Sequence, residues 1–450
     1  MKRTFIFIIS LVLTVNLTFS RKHYSKQKLI ADIDSLYASI NEIHVDMFAN
    51  ISKEKFEKEI AQIKLQLKDS MTSIDFYNNL APLVEKLGDG HTSLVFPTEE
   101  IKRNSIKLFP LSVDIDYKDS SATVVNDYSE SNIQIPVDAK ILSINNKKIS
   151  TIVGVMFHYI SGERTFFKAE ELKFQFTPLL YALYKDSVYT IKYKRKNKVF
   201  TTTKMAISYT QRYDKNGKKT ITNDSNYSLR INDKQQIATI EFNYFVDLPR
   251  FQKFIDSSFV IIKQKKINDL IIDIRDNGGG NSELGDEFFQ YISHEPFKQF
   301  GKTIVKNSYR RMQFYKSAYS ETITEPIGLQ TYNDTTLIKL RENKNRFTGN
   351  VYLLTSHFTF SSAASFSWAF KYFKMGTIIG EETGGLAVCF GDIISQKLPN
   401  TNIKYSVSHK KFYQYGATDN DKHGTMPDYI VSAKDALHFT TNLIENTKRK

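Results

Sequence analysis

Apolar positions near the start of the chain recur at helical spacing. Leu29, Ile33, Leu36, Ile40 and Ile43 are separated by four, three, four and three residues, which stacks them on one face of an α-helix. Phe56, Ile60, Ile63 and Leu67 repeat the spacing behind Ser52, a good N-cap residue. A third stripe, Phe76, Leu80, Leu83, Val84 and Leu87, follows Thr72-x-x-Asp75, which has the form of a capping box. The pattern predicts three short amphipathic helices, packed as an N-terminal bundle over residues 21–105.

From Leu108 to Thr203 the period changes. Leu111–Ile115, Ala122–Val125 and Val188–Tyr193 read as strands, and Ala139–Ile149 reads as strand, turn and strand with Asn145-Asn146 at the turn. The segment 139–149 resembles the PDZ stretch that usually reads Gly-Asp-x-Ile-x-x-Ile-Asn-Gly. It departs from it at Ala139, Lys140 and Asn146. A PDZ-like β domain is therefore expected over 106–205. The polar stretch 208–228 reads as a linker or exposed hairpin. Beyond it, strands at Ile237–Phe242, Leu270–Ile274, Val351–Thr355 and Thr377–Gly380 alternate with helical patterns after Asn281 and over Ser362–Phe373. That alternation predicts an α/β core over 206–450.

Residues 1–20 change the picture of where the chain works. Lys2 and Arg3 precede an apolar run from Phe5 to Leu17, followed by Thr18 and Ser20. This is the form of an export signal. The run is short for a membrane span of ~20 residues and is broken by Asn16, so the expectation is a cleaved signal and an exported, periplasmic or secreted bacterial chain. No later segment is long and apolar enough to predict a span. The single cysteine, Cys389, excludes an intramolecular disulfide framework and a Cys-rich zinc site. The formal charge is +14, from 62 Lys+Arg against 48 Asp+Glu. The basic runs, such as Lys192-Tyr-Lys-Arg-Lys196, are short, and nucleic acid is not expected as a partner.

Three segments carry candidate chemistry. Asp273-Ile-Arg-Asp-Asn-Gly-Gly-Gly280 ends an apolar strand in three glycines, which allow a ligand close to backbone N–H groups. Glu283 breaks the dinucleotide pattern Gly-x-Gly-x-x-Gly. Thr359-Phe-Ser-Ser-Ala-Ala364 puts two serines at a helix start, where the helix dipole favours a developing anion. Gly88-Asp-Gly-His-Thr-Ser93 sets His91 on a glycine loop. Each alone has a plainer reading: a flexible turn, an N-cap and a surface histidine. His-Glu-x-x-His is absent, and neither a metal nor a cofactor is expected.

Together these motifs resemble the serine peptidase family of the C-terminal processing proteases, the tricorn core protease and interphotoreceptor retinoid-binding protein. Gly380-Glu-x-Thr-Gly-Gly385 and His423-Gly-Thr-Met-Pro-Asp428 extend the resemblance in family order across most of the chain. It implies a crotonase/ClpP-like α/β peptidase core behind the bundle and the PDZ-like insert. It also implies Ser362 as nucleophile, with Ser361 as fallback. The lysine base of the processing proteases has no counterpart, since Leu386 stands there, so the pattern is the tricorn-like Ser-His one with His91 as general base. The third member implied is Asp421, with Asp89 as a second candidate, and the oxyanion donors are the N–H groups of Ala363 and of Gly278 or Gly279. Ser365 stands where the family usually has Glu. The expected function is an exported serine endopeptidase working through an acyl-enzyme, its peptide or protein substrate captured by the C-terminus through strand addition. The alternative is a catalytically degenerate binder of peptides or lipophilic ligands on the same fold.

Overall fold

The computed structural model describes residues 21–213 and 226–448. The expected export segment, most of the polar stretch 208–228 and the last two residues lie outside them. Three helices form at Lys26–Ile43, Lys53–Gln66 and Ser73–Glu85. Ser52 Oγ accepts Lys55 N–H, and Thr72 and Asp75 form the reciprocal capping box. The predicted stripes face inward: Leu29, Ile33, Leu36, Ile40 and Ile43 are all buried.

Residues 111–205 fold into an antiparallel sheet. Its order is Leu111–Asp116, Ser121–Asp127, Lys140–Ile144, Val188–Arg195 and Lys198–Met205, with the short strand Lys147–Lys148 on Lys140–Ile144. Asn145 and Asn146 turn the chain at φ of 46° and 62°, the left-handed backbone a tight hairpin needs. Two helices that the strand pattern did not predict, Ile149–Met156 and Thr165–Tyr184, interrupt the sheet's strands. The longer one buries Phe166, Phe167, Leu172, Phe176, Leu179 and Leu180. Apolar side chains cover most of its faces, so no single stripe stands out in the sequence. These helices, the N-terminal three and the sheet share one core with Ile394, Leu398, Ile403, Tyr405 and Val407 from far along the chain.

The α/β core is a six-stranded sheet ordered Tyr429–Ile430, Thr377–Gly380, Asn350–Thr355, Asp269–Asp273, Ile237–Phe242 and Tyr227–Asn232. All neighbours are parallel except the last pair. The central strand Asp269–Asp273 is buried throughout, as expected of a strand covered on both faces. Helices Leu248–Gln264, Glu283–Ile292 and Ser362–Tyr372 bury Phe251, Phe288 and Phe366 in one core, and Ala433–Lys448 covers the other face.

A further antiparallel sheet, also not predicted, joins Ser93–Leu94, Lys404–Gln414, Phe300–Asn307 and Gly328–Asn333, with Val388–Lys397 on Lys404–Gln414. Ser93 pairs with Ser406 and Leu94 with Tyr405. This pairing anchors the loop of His91 to the C-terminal half of the chain.

Candidate active site

Ser362 is the first residue of helix Ser362–Tyr372, just behind the strand Asn350–Thr355. Ser361 before it has φ 50° and ψ −127°, a costly backbone for a residue with a Cβ, and its side chain caps nothing. The sharp turn holds Ser362 nearly buried, with 8% of its surface exposed. Its Oγ donates to Gly280 O at 2.6 Å.

The glycine run lies against this turn because Asn277 fixes both. Asn277 Nδ2 donates to Phe242 O at 2.6 Å, its Oδ1 accepts Gly279 N–H at 2.8 Å, and its carbonyl accepts Phe360 N–H at 3.1 Å. Arg275 grips Asp273 with Nε at 2.9 Å and Nη2 at 2.6 Å, closing the base of the loop. Gly279 has φ 102°, and a Cβ there would stand 2.6 Å from Ser361 Cβ. Of the expected oxyanion donors, Gly279 N–H is taken by Asn277 and Ala363 N–H bonds Phe360 O at 3.0 Å. Gly278 N–H has no partner among the described residues.

His91 is presented by a loop held at several points. Asp89 Oδ1 accepts His91 N–H at 2.8 Å, Ser406 Oγ donates to His91 O at 2.7 Å, and Thr92 Oγ1 accepts Ser408 N–H at 3.0 Å. Asp89 is fully buried, and its Oδ2 lies 3.1 Å from His44 Nε2. His44 Nδ1 accepts Asp46 N–H, which leaves Nε2 as the protonated nitrogen that donates to Asp89. The His91 ring stacks on Phe360, with centroids 4.6 Å apart, and Phe360 stacks on Phe167 at 4.1 Å. Burial pushes the imidazole below its ordinary range, opposed by the charges of Asp89 and Asp392. A neutral imidazole is the form a general base needs. Burial acts to raise Asp89, but the His44 hydrogen bond and neighbouring charge outweigh it and hold the carboxyl well below the usual range.

The chain thus brings His91 and Ser362 to one cavity of about 330 Å³, walled also by Gly280, Ser361, Cys389 and Asp392. Asp421 is not in that wall. It sits on a turn, accepting Thr418 N–H at 2.8 Å and lying 3.9 Å from His423 Nε2. Cys389 is in the wall, although its sequence segment gave no sign of the site. Burial, followed by the charges of Glu163 and Asp89, pushes its thiol far up, so it is not a thiolate near neutral pH.

His44, Asp392 and Glu163 were not singled out from the sequence. The first two sit in a helix terminus and a β hairpin without a motif. Glu163 lies in the turn ahead of helix Thr165–Tyr184, and no side chain bonds either of its shielded carboxylate oxygens. Burial, then the charge of Asp89, pushes its carboxyl up to about 8, and the N–H groups of Glu163 and Gly90 offset this only in part. Among the described residues, no group of three His, Cys, Asp or Glu side chains could hold a metal ion.

Residues 236–431 match the family model described as Peptidase family S41. The match takes in the glycine run and Ser362, whereas His91 precedes it. The whole chain is similar in fold to mature CPAF, with 12% identity, 94% of this chain and 96% of that one covered, and a TM-score of 0.63. Mature CPAF complexed with lactacystin gives 12% identity, 94% and 98% coverage, and a TM-score of 0.64. At that identity the likeness is one of fold. Through residues 236–431 the chain belongs to peptidase family S41, the family of the C-terminal processing proteases, and is a serine-type peptidase.

Proposed function

We propose that the protein hydrolyses peptide bonds by a Ser-His acyl-enzyme mechanism, with Ser362 as nucleophile and His91 as general base. The observation that carries this is the shared cavity: residues 271 positions apart in sequence face one pocket at a helix N-terminus. In the reaction, His91 Nε2 takes the Ser362 hydroxyl proton as Oγ attacks the carbonyl, then returns it to the leaving amine. For this, Oγ turns from Gly280 O toward the imidazole. Gly278 N–H and the dipole of helix Ser362–Tyr372 support the developing oxyanion. Asp89 fixes the loop of His91 through its backbone N–H, whereas Asp421 sits on a turn outside the cavity wall.

The edge strand Leu111–Asp116 offers an extended peptide a place to pair, beside a cleft of about 670 Å³ between the insert and the core. Asp114, Asp116, Glu170 and Glu381 line that cleft. Lys118, Lys173 and Lys434 line it as well, and Lys173 pairs with Asp114 and Glu170, so the cleft offers charges of both signs to a peptide. The basic, apolar start of the chain supports export.

Ser362→Ala is expected to lower peptide cleavage by ~10³-fold or more while the fold survives. Full activity in a folded variant would remove Ser362 from the mechanism and move the test to Ser361. The binder reading is favoured by one feature, the commitment of Ser362 Oγ to Gly280 O. A fluorophosphonate probe separates the two: His91-dependent labelling supports the enzyme, and absence of labelling on the folded chain supports the binder.

A further inference from the structure

Two buried groups on either side of the His91 loop lack a side-chain partner among the described residues. His91 Nδ1 is shielded from solvent, and so are both carboxylate oxygens of Glu163. Such orphans are few in native structures and call for a reason. Gly90 precedes His91 in the chain and lies against Glu163. A Cβ built on Gly90 would stand 3.1 Å from Glu163 Oε2, 2.8 Å from Phe360 Cζ and 3.2 Å from Phe167 Cε1. Phe360 and Phe167 form the stack on which the His91 ring rests. Glu163 comes from the turn between Phe157–Tyr159 and Thr165–Tyr184, within the residues inserted between strands of the 111–205 sheet.

We propose that Glu163 is a positioning residue for His91, its carboxyl oxygen accepting the Nδ1–H of the imidazolium that forms when Ser362 gives up its proton. This rests on the reading of His91 as the general base. The alternatives on the buried side are already engaged. Asp89 Oδ1 accepts the His91 backbone N–H and lies 3.9 Å from Nδ1, beyond a hydrogen bond, while Asp89 Oδ2 is held by His44. Asp392 pairs with Lys410. Glu163 brings to this side a carboxyl that no side chain engages.

The charged groups felt by Glu163 are Asp89 and Lys168, and Lys168 is itself bonded to Glu85. Cys389 is the neutral thiol nearby, and Asp89 and Asp392 are the charges felt by His91. Below about pH 8 the Glu163 carboxyl is neutral and its carbonyl oxygen accepts. Above that the carboxylate accepts and also stabilises the imidazolium by charge, so turnover rises through this range. The arrangement makes the inserted segment part of the machinery, because it carries the acceptor for a base on another segment.

The test follows the His91 imidazole by NMR of histidine-labelled full-length protein from pH 6 to 9.5, its resonance assigned by loss in His91→Gln. The wild-type resonance is expected to shift near pH 8, and the Glu163→Gln shift to be absent. In parallel, kcat in Glu163→Gln is expected to lie below wild type throughout and to lack the alkaline rise, the gap widening to about tenfold at pH 9 with KM unchanged. A purely structural role would move neither profile. Identical His91 titration curves in the two proteins overturn the proposal. If Glu163→Gln does not fold, a wild-type His91 resonance flat between pH 7 and 9 does so. The NMR readout needs no turnover, so loss of the peptidase reading and loss of this proposal are seen separately.

Discussion

The ring of His91 lies on the ring of Phe360 at 4.6 Å between centroids and 26° between planes, and Phe360 belongs to the turn that carries Ser362. One aromatic side chain therefore sets the height of the imidazole over the helix that bears the serine. A stacked pair adds ~0.5–1.5 kcal/mol beyond its buried area. Phe360→Leu keeps most of the volume and loses the flat face. We expect kcat to fall about tenfold with little change in KM and a small loss of thermal stability. A variant with unaltered kcat would show that the loop hydrogen bonds alone place the histidine.

Much of this site was legible in the chain. Ser362, His91 and the glycine run stand in recognisable local patterns, each a turn next to a regular element. The acceptors around the histidine were not. Asp421 was favoured by its offset from a downstream motif, but the turn closed by Thr418 and His423 holds it outside the cavity wall. His44 and Glu163 stand 47 and 72 residues from His91 in the chain and reach the site only by tertiary packing, which leaves no local signature.

 The second antiparallel sheet was missed for a related reason. Its strands Phe300–Asn307 and Lys404–Gln414 mix lysines with aromatic residues on half-buried faces, so neither alternation nor an apolar run marks them.

Asp89 and Asp421 are expected to separate under the same substitution. Asp89 is fully buried and holds both His44 and the His91 backbone. Asp89→Asn removes the charge from that network and leaves polar groups short of a partner, at a cost of ~1–3 kcal/mol. Activity should drop by 10²-fold or more as the loop loses its shape. Asp421→Asn changes a partly exposed turn and should leave both kcat and thermal stability close to wild type. Steady-state kinetics on the two variants decides which of these two carboxylates the His91 loop depends on; a large loss in Asp421→Asn with none in Asp89→Asn would reverse the expectation.

Gly279→Ala tests the fit between the glycine run and the serine turn. The backbone there has φ 102°, and the added methyl would face Ser361 Cβ at 2.6 Å and Ser362 N at 2.9 Å. Backbone strain of ~1–3 kcal/mol joins a clash that only movement of the Ser361–Ser362 turn relieves. Both thermal stability and kcat should fall. Gly278→Ala is the control, since its Cβ would meet only the Phe358 ring at 3.7 Å, an ordinary contact. Equal behaviour of the two variants would mean that the glycines serve flexibility rather than close approach.

Two buried carboxyls give stability opposite responses to pH. Asp89 is held below its ordinary 3.8, so its contribution is present above that value and is lost as pH falls further. Glu163 is raised from 4.5 to about 8, so its folded form favours the proton. Its contribution is full below about pH 4.5 and fades as pH rises toward 8, because the unfolded chain ionises first. Glu163→Gln cannot ionise and escapes that loss. Its thermal midpoint relative to wild type should therefore climb between pH 5 and 8 by several degrees, corresponding to a few kcal/mol at most. Melting curves of both proteins across this range make the comparison, and a constant difference between them would place the Glu163 carboxyl in contact with water or a cation in the folded chain.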